Sequence, residues 1–246
     1  MTLLLILVFT LLGSIISVLL AGLILLLKGQ ALAKATDRLI PYAIGTLLGA
    51  AFFGMIPHAQ EQMGETSVLP IVLVGILIFF MLEKLAIWRH CHEHDCATHT
   101  HAGSLILIGD SLHNFVDGVA IALAFGQSIP LGIATSIAVI SHEVPQEVGD
   151  FVILLESGYS RKRALFFNVL SSLTSIAGAL LTYALLPVAS RLVPYLLAMA
   201  AASFIYIALA DLVPGRRKAS SLKSLALEMT LIAGGILTIA LLHHHE

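Results

Sequence analysis

The chain has 246 residues, 58% hydrophobic and 11% charged, with a net charge of −2 and a mean hydropathy of +0.97. Soluble domains carry about 25% charged residues, and a water-soluble fold of this length has no interior large enough for so much apolar surface. That excludes a soluble fold; with no basic block and only two cysteines, Cys91 and Cys96, it also excludes a nucleic-acid binder and a disulfide scaffold.

A helix that crosses a bilayer needs about 20 mostly apolar residues, and eight stretches qualify: about 3–27, 39–60, 68–88, 103–125, 130–155, 164–187, 192–213 and 225–242. The expected fold class is all-α integral membrane, a single transmembrane domain over 1–246 with no room for a soluble one. The first stretch has no Lys or Arg before Lys28 and is too long for the apolar core of a signal peptide, so it reads as a retained span. The second closes on Ile56-Pro57-His58, with Glu61 and Glu65 after it, which makes His58 a candidate for the mouth of a cation pathway. The third runs into segment 90–101, where His90, Cys91, His92, His94, Cys96, His99 and His101 give a metal-binding composition. Their spacing fits no closed zinc finger, so a flexible cytoplasmic acceptor or sensor is expected. Every Lys and Arg except Arg191 falls beside loops 1–2, 3–4, 5–6 or 7–8. By the positive-inside rule those loops are cytoplasmic and both termini lie outside.

Spans four and five depart from the Leu, Ile, Ala, Val and Phe of the others. Span four carries Asp110, His113, Asn114 and Asp117; span five carries His142, Glu143, Gln146, Glu147 and Asp150. An ionisable side chain at the bilayer centre costs about 2.5–3.5 kcal/mol on insertion scales, so these groups must face each other, water or a cation. His113 and Asp117 are four apart and share a helix face, separated by about 6 Å along the axis, with Asn114 beside them. His142 and Gln146, and Glu143 and Glu147, repeat that spacing. The midpoints of the two spans fall near 114 and 142–143, so both sets lie at one depth on antiparallel neighbours joined near Gly126 to Ser128.

Converging imidazoles and carboxylates suit zinc, iron, manganese or nickel, whereas calcium and magnesium prefer oxygen alone. His113, Asn114, Asp117, His142, Glu143, Gln146 and Glu147 are therefore the candidate metal site, with the ion as transported substrate and no resident cofactor. A proton relay could use the same groups, and packing without a ligand is a third reading, although such packing ordinarily uses one or two Ser, Thr or Asn. Pro145 removes a backbone hydrogen bond and frees a carbonyl near residue 141 to line a cavity. Asp110 and Asp150 fall on the cytoplasmic side and are candidates for an exit path. In span six, Asn168, Ser171, Ser172, Thr174 and Ser175 read as a closely packed wall against the polar pair, more packing than ligation.

His113-Asn114-Phe115-Val116-Asp117-Gly118 and His142-Glu143-Val144-Pro145-Gln146-Glu147 resemble the paired signatures of the ZIP family (Zrt-, Irt-like proteins), above all its LIV-1-like bacterial branch, with HNFxDG in span four and HExPHE in span five. Gly109-Asp110, Leu82-Glu83-Lys84, Trp88-Arg89-His90-Cys91-His92 and Ile56-Pro57-His58-Ala59 are similar to that group too, so the resemblance covers nearly the whole chain. It implies eight helices in a 3+2+3 arrangement, with inverted repeats flanking spans four and five, a binuclear site, homodimers and metal uptake into the cytoplasm. It also implies ligands at His113, Asn114, Asp117, His142, Glu143 and Gln146. Gln146 stands where the family usually has His or Glu, which leaves the site one ligand softer or shifts weight to Glu147. The lack of a long His-rich outer segment matches a minimal bacterial form in the inner membrane.

The expected function is transport of a divalent transition metal, Zn²⁺ or else Fe²⁺, Mn²⁺ or Cd²⁺, into the cytoplasm by alternating access; metal ions and the lipid bilayer are the expected partners. The alternative is an intramembrane metal-dependent hydrolase, because His142-Glu143-x-x-Gln146 is one residue short of the zinc-protease pattern. Gln at the second ligand position, and a proline between the two, argue against it.

Overall fold

The computed structural model describes residues 1–27, 30–90, 99–188, 190–212 and 221–243. Among them are eight long helices and no strand, and each expected span coincides with a helix. α1 is Thr2–Ile24. α2 runs over 30–63, α3 is Leu69–His90, α4 is His99–Gln127 and α5 is Ile129–Glu156. α6 is Arg161–Leu185, α7 is Val193–Tyr206 with a further turn Ile207–Leu212, and α8 is Leu222–His243. Of the metal-binding segment expected at 90–101, residues 91–98 (Cys91, His92, His94 and Cys96 among them) and the side chains of His90, His99 and His101 lie outside the described residues.

Composition explains why these segments are helical and where they stop. Past Thr2, α1 is apolar except for a buried line of Thr10, Ser14 and Ser17, as suits a span whose backbone can bond only to itself. The Ser128 hydroxyl caps α5 by accepting from the Leu131 N–H (3.2 Å), and Pro130 sits in the first turn, where its missing N–H is harmless. α2 ends at Gly64 (φ 62°) and α5 is followed by Gly158 (φ 88°), both in the left-handed region that glycine adopts without strain. α6 breaks at Leu173 because Ser171, Ser172 and Thr174 turn their hydroxyls onto backbone carbonyls. Wide π turns interrupt α1 at Leu12–Ile16 and α2 at Ala50–Met55.

Six of the helices are long and apolar enough to cross a membrane. α3 qualifies as a shorter apolar stretch, Leu69–Leu82. α5 is long enough at 28 residues, but the polar run from His142 to Asp150 keeps it out of that set. The outer faces are apolar: Leu69, Leu73, Leu77 and Phe80 on α3, and Leu225, Leu237 and Leu241 on α8, are all exposed. Together these features make the chain an all-α integral membrane protein.

α4 packs most extensively on α6, α8 on α2, α4 on α5 and α3 on α7, with α1 and α2 both against α5. The α4–α6 pair is drawn together by glycines from both sides. A methyl group at Gly118 would overlap the Ser175 carbonyl, and one at Gly178 would overlap the Phe115 carbonyl. The α2–α8 pair repeats the device, with Gly45 on the Ile232 carbonyl and Gly235 on the Tyr42 carbonyl. Gly118→Val is therefore expected to destabilise the protein by more than the ~1–3 kcal/mol of ordinary overpacking, since rigid backbone has to move. Gly22→Ala, with nothing within 4 Å, should be near neutral. Thermal unfolding of both variants in detergent checks the contrast, and equal midpoints would sink it.

Candidate metal centre

α4 and α5 are adjacent antiparallel helices, so residues at one depth on their facing sides meet. His113 and Asp117 come from α4, and His142 and Glu143 from α5. His113 Nε2 lies 3.0 Å from His142 Nε2, and His142 Nε2 lies 3.1 Å from Asp117 Oδ2. His113 Nε2 is 3.5 Å from Glu143 Oε1 and 3.7 Å from Asp117 Oδ2, and His142 Nε2 is 4.0 Å from Glu143 Oε1. One ligand atom from each of the four falls within 4.8 Å of all the others. A tetrahedral zinc with bonds near 2.0–2.1 Å holds its ligand atoms about 3.3 Å apart. The measured edges bracket that value.

The chemistry of these atoms points the same way. His142 Nδ1 contacts the Ala138 carbonyl at 2.9 Å. A ring proton donated there leaves Nε2 facing Asp117 and His113, the arrangement that orients a metal-ligating histidine. Apart from the two imidazoles and each other, the oxygens of Asp117 and Glu143 meet no hydrogen-bonding group. His142 and Glu143 are 0% exposed and Asp117 1%, while His113 keeps 18%. Anionic oxygens buried without donors are strongly disfavoured unless a cation or proton joins them. The Phe204 ring of α7 stands edge-on to His142 at 6.0 Å and closes that flank with an apolar group.

Beside this group of His and carboxylate ligands stand the other three residues expected as ligands, Asn114, Gln146 and Glu147. The Asn114 amide donates to Asp110, at 2.9 Å to Oδ1 and 3.2 Å to the carbonyl, one turn along α4. Gln146 is half-buried and neighbours the Asp110 carboxyl. Glu147 is fully buried with neither oxygen partnered, and interacts electrostatically with Asp110 and Asp150. Asp110 is buried and Asp150 half-buried, so with Glu147 they form a second acidic group one to two turns along from the first. His58, near the far end of α2, is half-buried with Nδ1 2.9 Å from the Gly54 carbonyl. The Ala138 carbonyl and Phe204 could not be found from side-chain motifs, because one is backbone and the other ordinary apolar sequence.

A family model described as "ZIP Zinc transporter" matches residues 88–243, more than half of the chain. Among curated proteins, "Zinc transporter ZIP10" of Homo sapiens is 37% identical over 139 residues, covering 52% of this chain and 17% of its own length. "Zinc transporter ZIP4" of Mus musculus is 46% identical over 110 residues, covering 45% and 16%. "Metal cation symporter ZIP14" of Bos taurus is 38% identical over 172 residues, covering 68% and 34%. The chain thus spans about a sixth of the first two relatives and a third of the last.

Proposed function

This chain belongs to the ZIP zinc transporter family, and from that premise we propose that it carries a divalent transition metal, Zn²⁺ before Fe²⁺, Mn²⁺ or Cd²⁺, across the membrane into the cytoplasm. The observation that carries the reading is the set of four buried ligand atoms from two adjacent spans, two imidazole nitrogens and two carboxylate oxygens without donors. Such mixed nitrogen and oxygen ligands favour zinc-like ions over calcium or magnesium. Asn114, Gln146 and Glu147, within a turn of that set, complete the wider metal site.

Transport proceeds by alternating access. The ion enters past His58, exchanges water for His113, Asp117, His142 and Glu143, and leaves past Asp110 and Asp150. The 3+2+3 arrangement of inverted repeats is supported by the packing: exchanging helices one to three with six to eight, and four with five, maps the α4–α6 contact onto α5–α1 and α3–α7 onto α8–α2. Charge placement supports termini outside and basic loops inside, here in a bacterial inner membrane. The whole of 1–246 acts as one transporter domain, as a homodimer in the lipid bilayer, with the 90–101 segment a cytoplasmic metal acceptor. A transporter, rather than a hydrolase, is the reading, since the family is named for transport.

Radiolabelled zinc taken up by proteoliposomes, with unlabelled Fe²⁺, Mn²⁺ and Cd²⁺ as competitors, tests it. Saturable, protein-dependent uptake is expected. Absence of uptake by folded, inserted protein that instead hydrolyses ester or peptide substrates when metal is added would return the site to the hydrolase reading.

A further inference from the structure

We propose that Asn168 of α6 is a further ion-contacting residue, whose carboxamide receives the metal as it passes from the His113–Asp117–His142–Glu143 cluster to the Asp110–Glu147 side. The inference rests on the transport reading above. Asn168 is 0% exposed, and neither its side-chain nitrogen nor its oxygen has a hydrogen-bond partner. A carboxamide carries two donors and an acceptor, and leaving all of them unpaired inside a spanning helix is disfavoured unless water or an ion meets them. Its neighbours on the same face avoid the problem. Ser171, Ser172 and Ser175 donate to carbonyls of their own helix at 3.0, 3.1 and 2.7 Å.

The register of α6 along α4 gives the position. The two helices run in the same direction, with Gly178 on the Phe115 carbonyl and the Thr174 hydroxyl donating to the Ser111 carbonyl at 2.6 Å. One turn earlier, Ser171 neighbours the Asp110 carboxyl. Asn168 follows on the same buried stripe, about 5 Å further along the axis. The next buried residue on that stripe, Ala164, already belongs to an apolar cluster with Phe151 and Leu154 of α5. Asn168 is thus the last polar group of the α6 stripe before apolar packing begins. By register it stands about one turn past Ser171, the residue beside Asp110, in a region where Asp110 Oδ2 and both Glu147 oxygens are buried without a hydrogen-bond partner.

The donor chemistry gives the set a role. The first cluster offers two imidazole nitrogens, which hold zinc well; Asp110, Glu147 and the Asn168 carboxamide offer oxygen only, and hold it less well. A weaker site next to a stronger one lets an ion leave without a single high barrier. Asn168 supplies the neutral oxygen of that second site from a third helix.

The test compares zinc uptake rates with equilibrium zinc binding for wild type, Asn168→Leu, Asn168→Ser and Asn168→Asp in proteoliposomes. Asn168→Leu is expected to bind zinc within about twofold of wild type while its maximal uptake rate falls about tenfold, the effect of one lost polar contact. Asn168→Asp, which keeps an oxygen in place, should retain most of the rate; Asn168→Ser gives the same reading as Leu if the larger side chain prevents insertion. Full-rate uptake by folded Leu or Ser variants overturns the proposal. So does a loss of zinc binding as large as the loss of rate in the Leu and Ser variants, because the residue is then a packing element. Failure of the transport reading is distinct, since wild type itself would take up no zinc.

Discussion

Asp117→Asn is expected to abolish zinc uptake while leaving the protein inserted and folded. Asp117 Oδ2 lies 3.1 Å from His142 Nε2 and 3.7 Å from His113 Nε2, so it is central among the four ligand atoms. The substitution keeps the shape and replaces a carboxylate by a neutral amide whose N–H₂ points donors at a site made of acceptors. Loss of groups that merely orient a ligand lowers metal affinity about 10- to 100-fold; loss of this direct ligand should exceed about a hundredfold and leave uptake at background. Stability should move the other way. Both Asp117 oxygens are buried and meet only the imidazoles and Glu143, so neutralising the side chain removes a desolvation penalty. The variant is expected to unfold at a temperature equal to or above that of metal-free wild type. Wild-type uptake by well-inserted Asp117→Asn would sink the site assignment.

The second large effect is linkage between metal and stability. A ligand that binds only the folded protein stabilises it by about 2.7 kcal/mol at a hundred times its dissociation constant. Zinc at that ratio should raise the unfolding temperature of wild type measurably in detergent. His142→Ala should remove the shift, because the ring is 0% exposed, held by the Ala138 carbonyl at 2.9 Å, and directs Nε2 into the cluster. Glu143→Gln should lose most of the shift yet start from a higher metal-free baseline, since both Glu143 oxygens are buried without donors. An equal zinc shift in wild type and His142→Ala would mean that the stabilising ion sits elsewhere, with the His-rich segment the next place to look.

The eight long helices were legible in the sequence because lipid demands a long, self-bonded helix whatever its neighbours are. The two central helices could be singled out for a related reason: His113, Asp117, His142 and Glu143 have no stable place in hydrocarbon except facing one another or an ion. Helical spacing put each pair on one face, and the short turn at Gln127–Ser128 made the helices antiparallel neighbours. Those are local properties, and local chemistry fixes them.

Which of the seven candidate residues share one point was not local. Asn114 is as close in sequence to the centre as His113, yet its amide is committed to Asp110 at 2.9 Å, because a 100° step per residue carries it round the helix toward a different neighbour. Glu147 and Gln146 likewise reach Asp110 from further along α5. Asn168 read as wall from its serine-rich surroundings, and only the packing of α6 on α4 distinguishes an amide with no partner from hydroxyls that bond to their own helix. Sequence alone determined that this chain lives in a membrane and gathers imidazoles and carboxylates at its centre, because burial of charge in lipid is decided residue by residue. Tertiary structure decided which side chains meet, because glycine contacts such as Gly118 on Ser175 and Gly178 on Phe115 set helix separation and register to within an ångström-scale tolerance that no periodicity encodes.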